Sequence, residues 1–288
     1  MASKQELKQK MSSILVTEKI TKAMQMAATA KLHKFKSQHE KIYEFFNEYY
    51  ETIGKVIANA KYYQPPKQVK ENSLYILINS SLGLCGGFNN NMNRLLLEKI
   101  KPNDKLILLG KKSLGYWKLK NQGNNILLIK DLQDADINFD ISYNLGQEIL
   151  DLYETNEYEK VFIVYTNFVN NLKQEPKIIQ VLPFDVDIFK DKIKKDTNSN
   201  KQYSAPIEFE PDVKEVIKGL TPQFMQIVLY GCLIETKLSE YASRRNAMES
   251  ATKNANDLYN NYLLLYNQLR QASITQEISE IIQGSEQK

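Results

Sequence analysis

The sequence predicts an α/β fold in which a long antiparallel coiled coil of the N- and C-terminal helices carries a parallel-sheet domain inserted between them. All eight prolines lie between Pro65 and Pro222. No glycine precedes Gly54, and only Gly284 follows Gly231. Because proline costs a helix interior about 3 kcal/mol and glycine about 1 kcal/mol relative to alanine, both ends are free to form long helices. Strand and helix patterns alternate in the middle of the chain.

The first segment, residues 1–64, is predicted to be one helix of the coiled coil. Its apolar residues recur at steps of three and four, which is the periodicity of an amphipathic helix. Ser3 and Glu6 have the spacing of a capping box and mark the start. Pro65 and Pro66 end the helix, since proline cannot continue it.

The middle segment, residues 65–205, alternates β-type runs with helical patterns. The helical patterns are at 92–100, 113–120 and 141–153, and the β-type runs are at 74–78, 106–109, 126–129, 161–165 and 178–182. This alternation predicts a Rossmann-like domain with a mostly parallel sheet covered on both faces. The polar stretch from Asp185 to Ala205 is predicted to be a surface hairpin or linker.

The last segment, residues 206–288, is predicted to be the second helix of the coiled coil. Its helical pattern runs from Pro222 to Ile282, some 60 residues or roughly 90 Å. A polar helix of this length needs a partner, and the N-terminal helix is the natural one in an antiparallel arrangement. Four polar residues interrupt the heptads and argue against a strict zipper: Glu18, Thr21, Asn254 and Asn261.

Composition excludes several classes of protein. A net charge of +4 is too mild to require nucleic acid or an anionic membrane. The first 62 residues hold eleven lysines and six glutamates, which indicates either a solvated helix face or an acidic protein partner. No apolar run approaches the roughly 18 residues of a membrane span, so we expect a soluble, unexported chain. Cys85 and Cys232 are expected to be packing residues.

A glycine-rich loop lies where phosphate-binding loops are found, after a strand and before a helix. The spacing of Gly83, Gly86 and Gly87 does not match G-x-G-x-x-G, and no acidic residue follows at a strand end about 20 residues later. The sequence therefore favours a loop that binds no nucleotide.

The chain is also predicted to be non-catalytic, with no metal and no cofactor. His33 and His39 have no further ligand at metal-site spacing. There is no Ser-His-Asp order with a nucleophile elbow, and the carboxylates are expected along surface faces rather than as an acid and base pair.

Three motifs together resemble one family. They are ITKAMQMAA at Ile20–Ala28, GLCGGFN at Gly83–Asn89 and RQASITQEI at Arg270–Ile278, with further similarity at Tyr230–Glu235. In this order, and in a chain of this length, they resemble the gamma subunit of the F-type ATP synthases. The resemblance covers the whole chain.

The resemblance implies a central-stalk rotor that couples ion flow through a membrane ring to ATP synthesis or hydrolysis. The expected partners are the alpha and beta subunits, with one gamma per hexamer, and the epsilon subunit and the c-ring at the foot. No nucleic acid and no direct membrane insertion are implied. The expected location is peripheral, on the cytoplasmic face of the cell membrane as part of the complex.

The family also implies contact residues. Beta-subunit catch and lever contacts are expected at Lys22, Met24, Arg244, Arg270, Gln271, Thr275 and Glu277. A loop of the foot domain is expected at Gly83, Cys85, Gly86 and Gly87.

Three alternatives stay open. Ser81-Leu82 replaces the acidic-basic pair usual in the family, and Arg245-Asn246 is more polar than usual. These departures allow a gamma-like rotor of a divergent F-type-like ATPase that drives another machine. A non-motor coiled-coil scaffold would instead self-associate, and a nucleotide-dependent enzyme would bind ATP or NAD.

Overall fold

The computed structural model describes residues 3–59, 71–120, 123–155, 157–183 and 209–286. The two long helices are α1, Lys4–Asn59, and α5, Val213–Glu286. Between them, in chain order, lie β1 Ser73–Ile78, α2 Phe88–Leu97, β2 Lys105–Leu109, α3 Leu114–Leu119, a 3-10 turn Gly123–Asn125, β3 Ile126–Lys130, α4 Phe139–Glu154, β4 Lys160–Phe168 and β5 Gln174–Leu182. Every predicted strand and helix is present. The predicted linker at 185–205 lies outside the described residues.

The five strands form one sheet in the order β3-β2-β1-β4-β5. All neighbouring pairs are parallel except β4 and β5, which are antiparallel. The central strand β1 is buried at every residue from Leu74 to Ile78, so both of its faces are covered. The predicted mostly parallel sheet between two long helices is confirmed.

One face of the sheet packs against α2 and α3. Met92 and Leu96 of α2 and Trp117 of α3 are fully buried, and they share an apolar cluster with Leu77 of β1 and Leu106 of β2. The indole Nε1 of Trp117 donates to Asn93 Oδ1 at 3.2 Å, which satisfies a buried polar group.

Helix α4 packs closely against the start of α5. A Cβ added at Gly146 would lie 3.5 Å from Met225 Cβ, an ordinary packing distance that shows how near the two backbones are. Asn138 caps α4, because its Oδ1 accepts from the Ile141 amide at 2.8 Å.

The predicted start of the last helix was wrong. Helix α5 begins at Val213, so Pro222 lies inside it, and it ends at Glu286 rather than Ile282. Proline removes one backbone donor and costs about 3 kcal/mol in a helix interior. The buried side chains of Ile217 and Phe224 on either side of Pro222 are the packing that offsets this cost.

By contacts the chain forms two compact units. The first is Met1–Ala30 with Arg244–Lys288, and the second is Lys31–Ser243. Each long helix contributes to both. The boundaries predicted from the sequence, 1–64, 65–205 and 206–288, follow chain segments and stay a prediction. Among the described residues, no helix combines the length and apolar character required to cross a membrane.

Candidate functional site

Helix α1 starts with the predicted capping box. The Ser3 amide donates to Glu6 Oε2 at 3.1 Å, and the Glu6 amide donates to Ser3 Oγ at 3.2 Å. This reciprocal pair satisfies two amides that an isolated helix end leaves unpaired. The first turn of α1 is therefore fixed locally, without help from a partner.

In the first unit, the start of α1 pairs with the end of α5 in an antiparallel register. Thr252 Oγ1 donates to Thr21 Oγ1 at 2.8 Å. Lys10 Nζ lies 5.8 Å from the centroid of the Tyr262 ring. Lys10 lies 11 residues before Thr21 on α1, while Tyr262 lies 10 residues after Thr252 on α5, so the two helices run in opposite directions. The predicted antiparallel pairing is present.

The buried and half-buried residues of both helices follow alternating steps of three and four. On α1 they include Leu7, Met11, Ile14, Glu18, Thr21, Gln25 and Ala28, and on α5 Met248, Thr252, Ala255, Tyr259, Tyr262, Tyr266 and Leu269. We call these residues the seam. This spacing is the heptad repeat of a coiled coil.

The predicted heptad interruptions were only partly correct. Asn254 and Asn261 are exposed and lie outside the seam. Glu18 and Thr21 do occupy the seam, so the heptad spacing is regular while its chemistry is mixed. Thr21 Oγ1 lies 3.0 Å from the Glu18 carbonyl, which accepts its hydrogen bond.

Helix α5 extends past the start of α1. The Thr21–Thr252 register places Lys4 beside Leu269, so residues 270–286 lie beyond the first turn of α1. At 1.5 Å per residue this extension is about 25 Å long. Four isoleucines on it are 47–71% exposed, namely Ile274, Ile278, Ile281 and Ile282. Their spacing places them on one stripe, and an exposed apolar stripe indicates an interaction surface.

The predicted contact residues lie at separate levels along the helix pair. Arg270, Gln271, Thr275 and Glu277 are exposed on the extension. In the paired part, Lys22 is exposed and Met24 is half-buried. Arg244 is only 6% exposed. Since 26 residues of α5 separate Arg244 from Arg270, about 39 Å of helix lies between them.

The glycine-rich loop connects β1 to α2 in the second unit and is hydrogen-bonded to the first turn of α2. The Ser80 amide donates to Asn89 Oδ1 at 3.1 Å, and Asn89 Nδ2 donates to Ser80 Oγ at 2.7 Å. Cys85 is 2% exposed and belongs to the apolar cluster under the sheet. Of the other predicted loop residues, Gly86 and Gly87 are exposed and Gly83 is half-buried. Gly86 has a φ of 58°, which favours glycine.

A largely buried charged cluster in the second unit was not predicted. Lys31 Nζ of α1 lies 3.0 Å from Asp134 Oδ2, in the loop after β3. From α5, Lys237 Nζ lies 3.6 Å from Asp134 Oδ1 and 3.0 Å from Glu240 Oε2. The Tyr241 hydroxyl donates to Asp134 Oδ2. We call Lys31, Asp134, Lys237, Glu240 and Tyr241 the Asp134 cluster.

The Asp134 cluster corrects the expectation that carboxylates line surface faces. Glu240 is 2% exposed. Burial of Asp134 opposes its ionisation, but the hydrogen bonds from Tyr241 and Lys31 and the charge of Lys237 outweigh burial and lower its pKa. The only sequence signal was the spacing of three between Lys237 and Glu240, which is common on helices.

In the described part of the chain, no group of three His, Cys, Asp or Glu side chains is arranged to bind a metal ion. The surfaces that remain as candidates for function are the exposed extension of α5, the paired part of the first unit and the glycine-rich loop.

The fold, a mostly parallel sheet inserted between two long terminal helices, is that of chains in solved ATP synthase rotors. The rotor of the Euglena gracilis mitochondrial ATP synthase superimposes with a TM-score of 0.67 at 20% identity, over 94% of this chain and 98% of that one. The central stalk and c-ring structure of the Tetrahymena thermophila mitochondrial ATP synthase contains a chain that matches with a TM-score of 0.58 at 24% identity, over 81% and 99%. At these identities the likeness concerns the fold.

Sequence comparison establishes the family. The ATP synthase family model matches residues 3–287. The ATP synthase gamma chain of Mycoplasmoides gallisepticum is 46% identical over 99% of both chains, and that of Mycoplasma genitalium is 44% identical over 99% of both. The chain belongs to the ATP synthase gamma chain family. The predicted family and the predicted function as a central-stalk rotor subunit are confirmed.

Proposed function

We propose that this chain turns inside a hexamer of alternating alpha and beta subunits, with the extension of α5 in the central cavity. The observation that carries this proposal is the exposed isoleucine stripe on residues 270–286, beyond the part of α5 that α1 covers. An apolar stripe of this kind is uncovered in the chain alone and needs a surrounding surface. A sleeve formed by the hexamer supplies one.

The residues around the stripe suit contacts that must be broken and remade. Arg270, Gln271, Thr275 and Glu277 are exposed beside it and form polar contacts with beta. A wholly dry, deeply packed interface would create a deep free-energy minimum at each angle of the shaft. Intermittent apolar and polar contacts give shallower minima that rotation can leave. Unequal contacts with the beta subunits bias each one between open and closed states.

The lever contacts lie lower on the paired helices. Lys22 is exposed and Met24 half-buried, so both side chains can meet a beta segment that pushes on α1. Arg244 is nearly buried, and its contribution to the catch comes from the small exposed part of its side chain. Gln271 gives the cleaner test, because its replacement removes no buried group.

The α/β domain forms the foot of the rotor and takes no part in catalysis. Ser80 of the glycine-rich loop is hydrogen-bonded to Asn89 of α2, and Ser81 Oγ donates to the Leu132 carbonyl, which supports a role other than nucleotide binding. Its exposed residues Leu82 and Leu84 face outward and serve as contacts for other central-stalk subunits, the epsilon subunit and the c-ring. The complex is peripheral, on the cytoplasmic face of the membrane.

The proposal is tested first by native mass spectrometry of the complex purified through a tag on this chain. We expect one copy per hexamer of two larger ATPase-type subunits. Self-association of the tagged chain without those subunits would instead support the coiled-coil scaffold.

The contact residues are tested by Arg244→Ala and Gln271→Ala in the assembled complex. We expect weaker coupling or assembly, measured as ion pumping per ATP hydrolysed and as the amount of chain recovered with the hexamer. Gln268→Ala is the matched control, since Gln268 is also exposed but precedes the extension. If both variants equal the control in ion pumping per ATP hydrolysed and in recovery with the hexamer, neither residue forms a catch contact with beta.

A further inference from the structure

Asp134 is the point where three segments of the second unit meet. It belongs to the loop after β3, and its carboxylate contacts Lys31 of α1 together with Lys237 and Tyr241 of α5. One side chain of the α/β domain is therefore linked to both long helices. It is one of several contacts between the α/β domain and the helices, and it reaches both of them.

The two helices also contact each other at this level. The rings of Phe35 on α1 and Tyr241 on α5 are stacked, with centroids 5.7 Å apart and planes 14° apart. Phe35 is 1% exposed, so the contact is fully packed. Tyr241 thus joins α1 through its ring face and the domain through its hydroxyl.

The contacts of the Asp134 cluster resist rotation of the helices, because most of the groups that form them are buried away from water. The side chains of Lys237 and Glu240 are 6% and 2% exposed, and that of Asp134 is 16% exposed. Separating a buried pair leaves an uncompensated charge, which is far more costly than separating an exposed pair. A rotation of the helices about this point would have to separate Lys237 or Tyr241 from Asp134.

Helix α5 is fixed to the sheet on a second side. Ser239 Oγ donates to the Thr166 carbonyl at 3.1 Å, and the Phe168 amide donates to Glu235 Oε1 at 3.1 Å. These bonds connect α5 to the end of β4. Lys31 makes the corresponding polar link for α1, to Asp134.

We propose that the Asp134 cluster is the joint that transmits torque between the α/β domain and the two long helices, with Lys31 and Asp134 as its positioning residues. The inference rests on the proposed rotor function, in which the domain is driven at the foot and the helices act on the hexamer. Torque must then cross the contacts between the domain and the helices, among which the Asp134 cluster reaches both helices. The charges set its angular stiffness, and together with the surrounding packing they contribute to its stability.

The surroundings of Lys31 make it the best position for a test. Its side chain is 46% exposed and lines an open cavity of about 260 Å³, together with Ser81, Leu132 and Gln133. Lys31→Met keeps the aliphatic stem and removes the charge, so we expect the variant to fold. Lys31→Arg keeps the charge. Lys111→Met is a matched control, because Lys111 pairs with Asp131 in the same loop without linking it to a helix.

The experiment measures the torsional stiffness of the rotor in single complexes. The hexamer is fixed to a surface, a bead is attached to the α/β domain, and the stiffness is taken from the angular fluctuations of the bead. Because only the partly exposed Lys31–Asp134 pair is lost while the buried Lys237–Asp134 pair remains, we expect Lys31→Met to lower the stiffness by at most about twofold, with assembly and ATP hydrolysis unchanged. Lys31→Arg and Lys111→Met should match the wild type.

Asp134→Asn is the second variant and should lower the stiffness further, since it weakens the links to both helices. Wild-type stiffness in both Lys31→Met and Asp134→Asn would overturn the proposal that the Asp134 cluster is the joint. An equal loss of stiffness in Lys111→Met would overturn it as well. If Asp134→Asn does not assemble, the comparison of Lys31→Met with Lys31→Arg decides. Failure of the wild-type complex to rotate at all would refute the rotor function itself, and so the two failures are distinguishable.

Discussion

Replacing Gly110 with alanine tests how the ends of the parallel strands are held together. Gly110 follows β2 and has a φ of 110°, a conformation that side chains rarely adopt. A Cβ at this position would lie 2.3 Å from the Asn79 carbonyl oxygen and 2.8 Å from its carbon. Ordinary carbon–oxygen contacts are about 3.3 Å or longer, so the backbone of residue 79 would have to move by about 1 Å.

The cost follows from what that movement disrupts. The Asn79 amide donates to the Leu109 carbonyl at 2.7 Å, and the Gly110 amide donates to the Lys130 carbonyl at 2.7 Å. These bonds connect the ends of β1, β2 and β3. A positive φ costs alanine about 1–2 kcal/mol, and a lost backbone hydrogen bond costs about 1 kcal/mol more. With residual overlap, we expect a loss of about 3 kcal/mol or more in the free energy of unfolding.

Trp117, the only tryptophan, is the probe. It is fully buried in the same domain, so its fluorescence during urea unfolding reports on the sheet. At a slope of about 1–3 kcal/mol per molar urea, the midpoint of Gly110→Ala should fall by about 1 M or more. The control is Gly115→Ala in α3, where an added Cβ meets nothing within 4 Å and should stabilise by up to about 1 kcal/mol. A midpoint for Gly110→Ala equal to that of the wild type would refute the reasoning.

Two further predictions concern the helix start and the Asp134 cluster. Ser3→Ala removes half of the capping box and should cost about 1 kcal/mol locally, seen as faster hydrogen exchange at the Glu6 amide; Ser12→Ala, an exposed position inside α1, should leave that exchange unchanged. Asp134 has a lowered folded pKa, so its contribution to stability is present above the unfolded pKa and is lost as pH falls through the folded pKa. Urea unfolding should therefore show Asp134→Asn to be less stable than the wild type at pH 7, with the difference narrowing below about pH 4; a constant difference from pH 7 to pH 3 would contradict this.

The sequence predicted the buried strands well because their signal is local. β1 and β2 consist almost wholly of apolar residues, as strands covered on both faces must. The edge strand β3 is also apolar, although its Leu127 and Ile129 are exposed. Strand β5 was predicted from Ile178, yet it begins at Gln174 and includes Pro176. Pro176 is tolerated because β5 lies at the edge of the sheet and pairs on one side with β4. Edge position depends on topology, which the residue pattern of one strand does not contain.

The contact surfaces were predictable only through the family motifs. Exposure of Gln271 and burial of Arg244 depend on where α1 begins relative to α5, and that register is set by pairs such as Thr21 and Thr252. The Asp134 cluster depends on long-range packing, since Lys31 and Asp134 are 103 residues apart. Charged side chains are mostly exposed in proteins, so the expectation of surface carboxylates was the reasonable one and was wrong here for Glu240.

Polar groups lie inside packed contacts in both units, and their chemistry predicts opposite mechanical behaviour. In the seam, Thr252 Oγ1 lies 2.8 Å from Thr21 Oγ1 and also 2.9 Å from the Met248 carbonyl, so its hydroxyl proton has an alternative acceptor on its own helix. If the helices shift slightly, the hydrogen bond is exchanged rather than lost, and the cost is small. Lys237 has no comparable exchange with water, because its charge is buried between Asp134 and Glu240. Small adjustments of the helix pair should therefore cost little free energy, whereas rotation at the Asp134 cluster should cost more, and the proposed torque-transmitting joint depends on that difference.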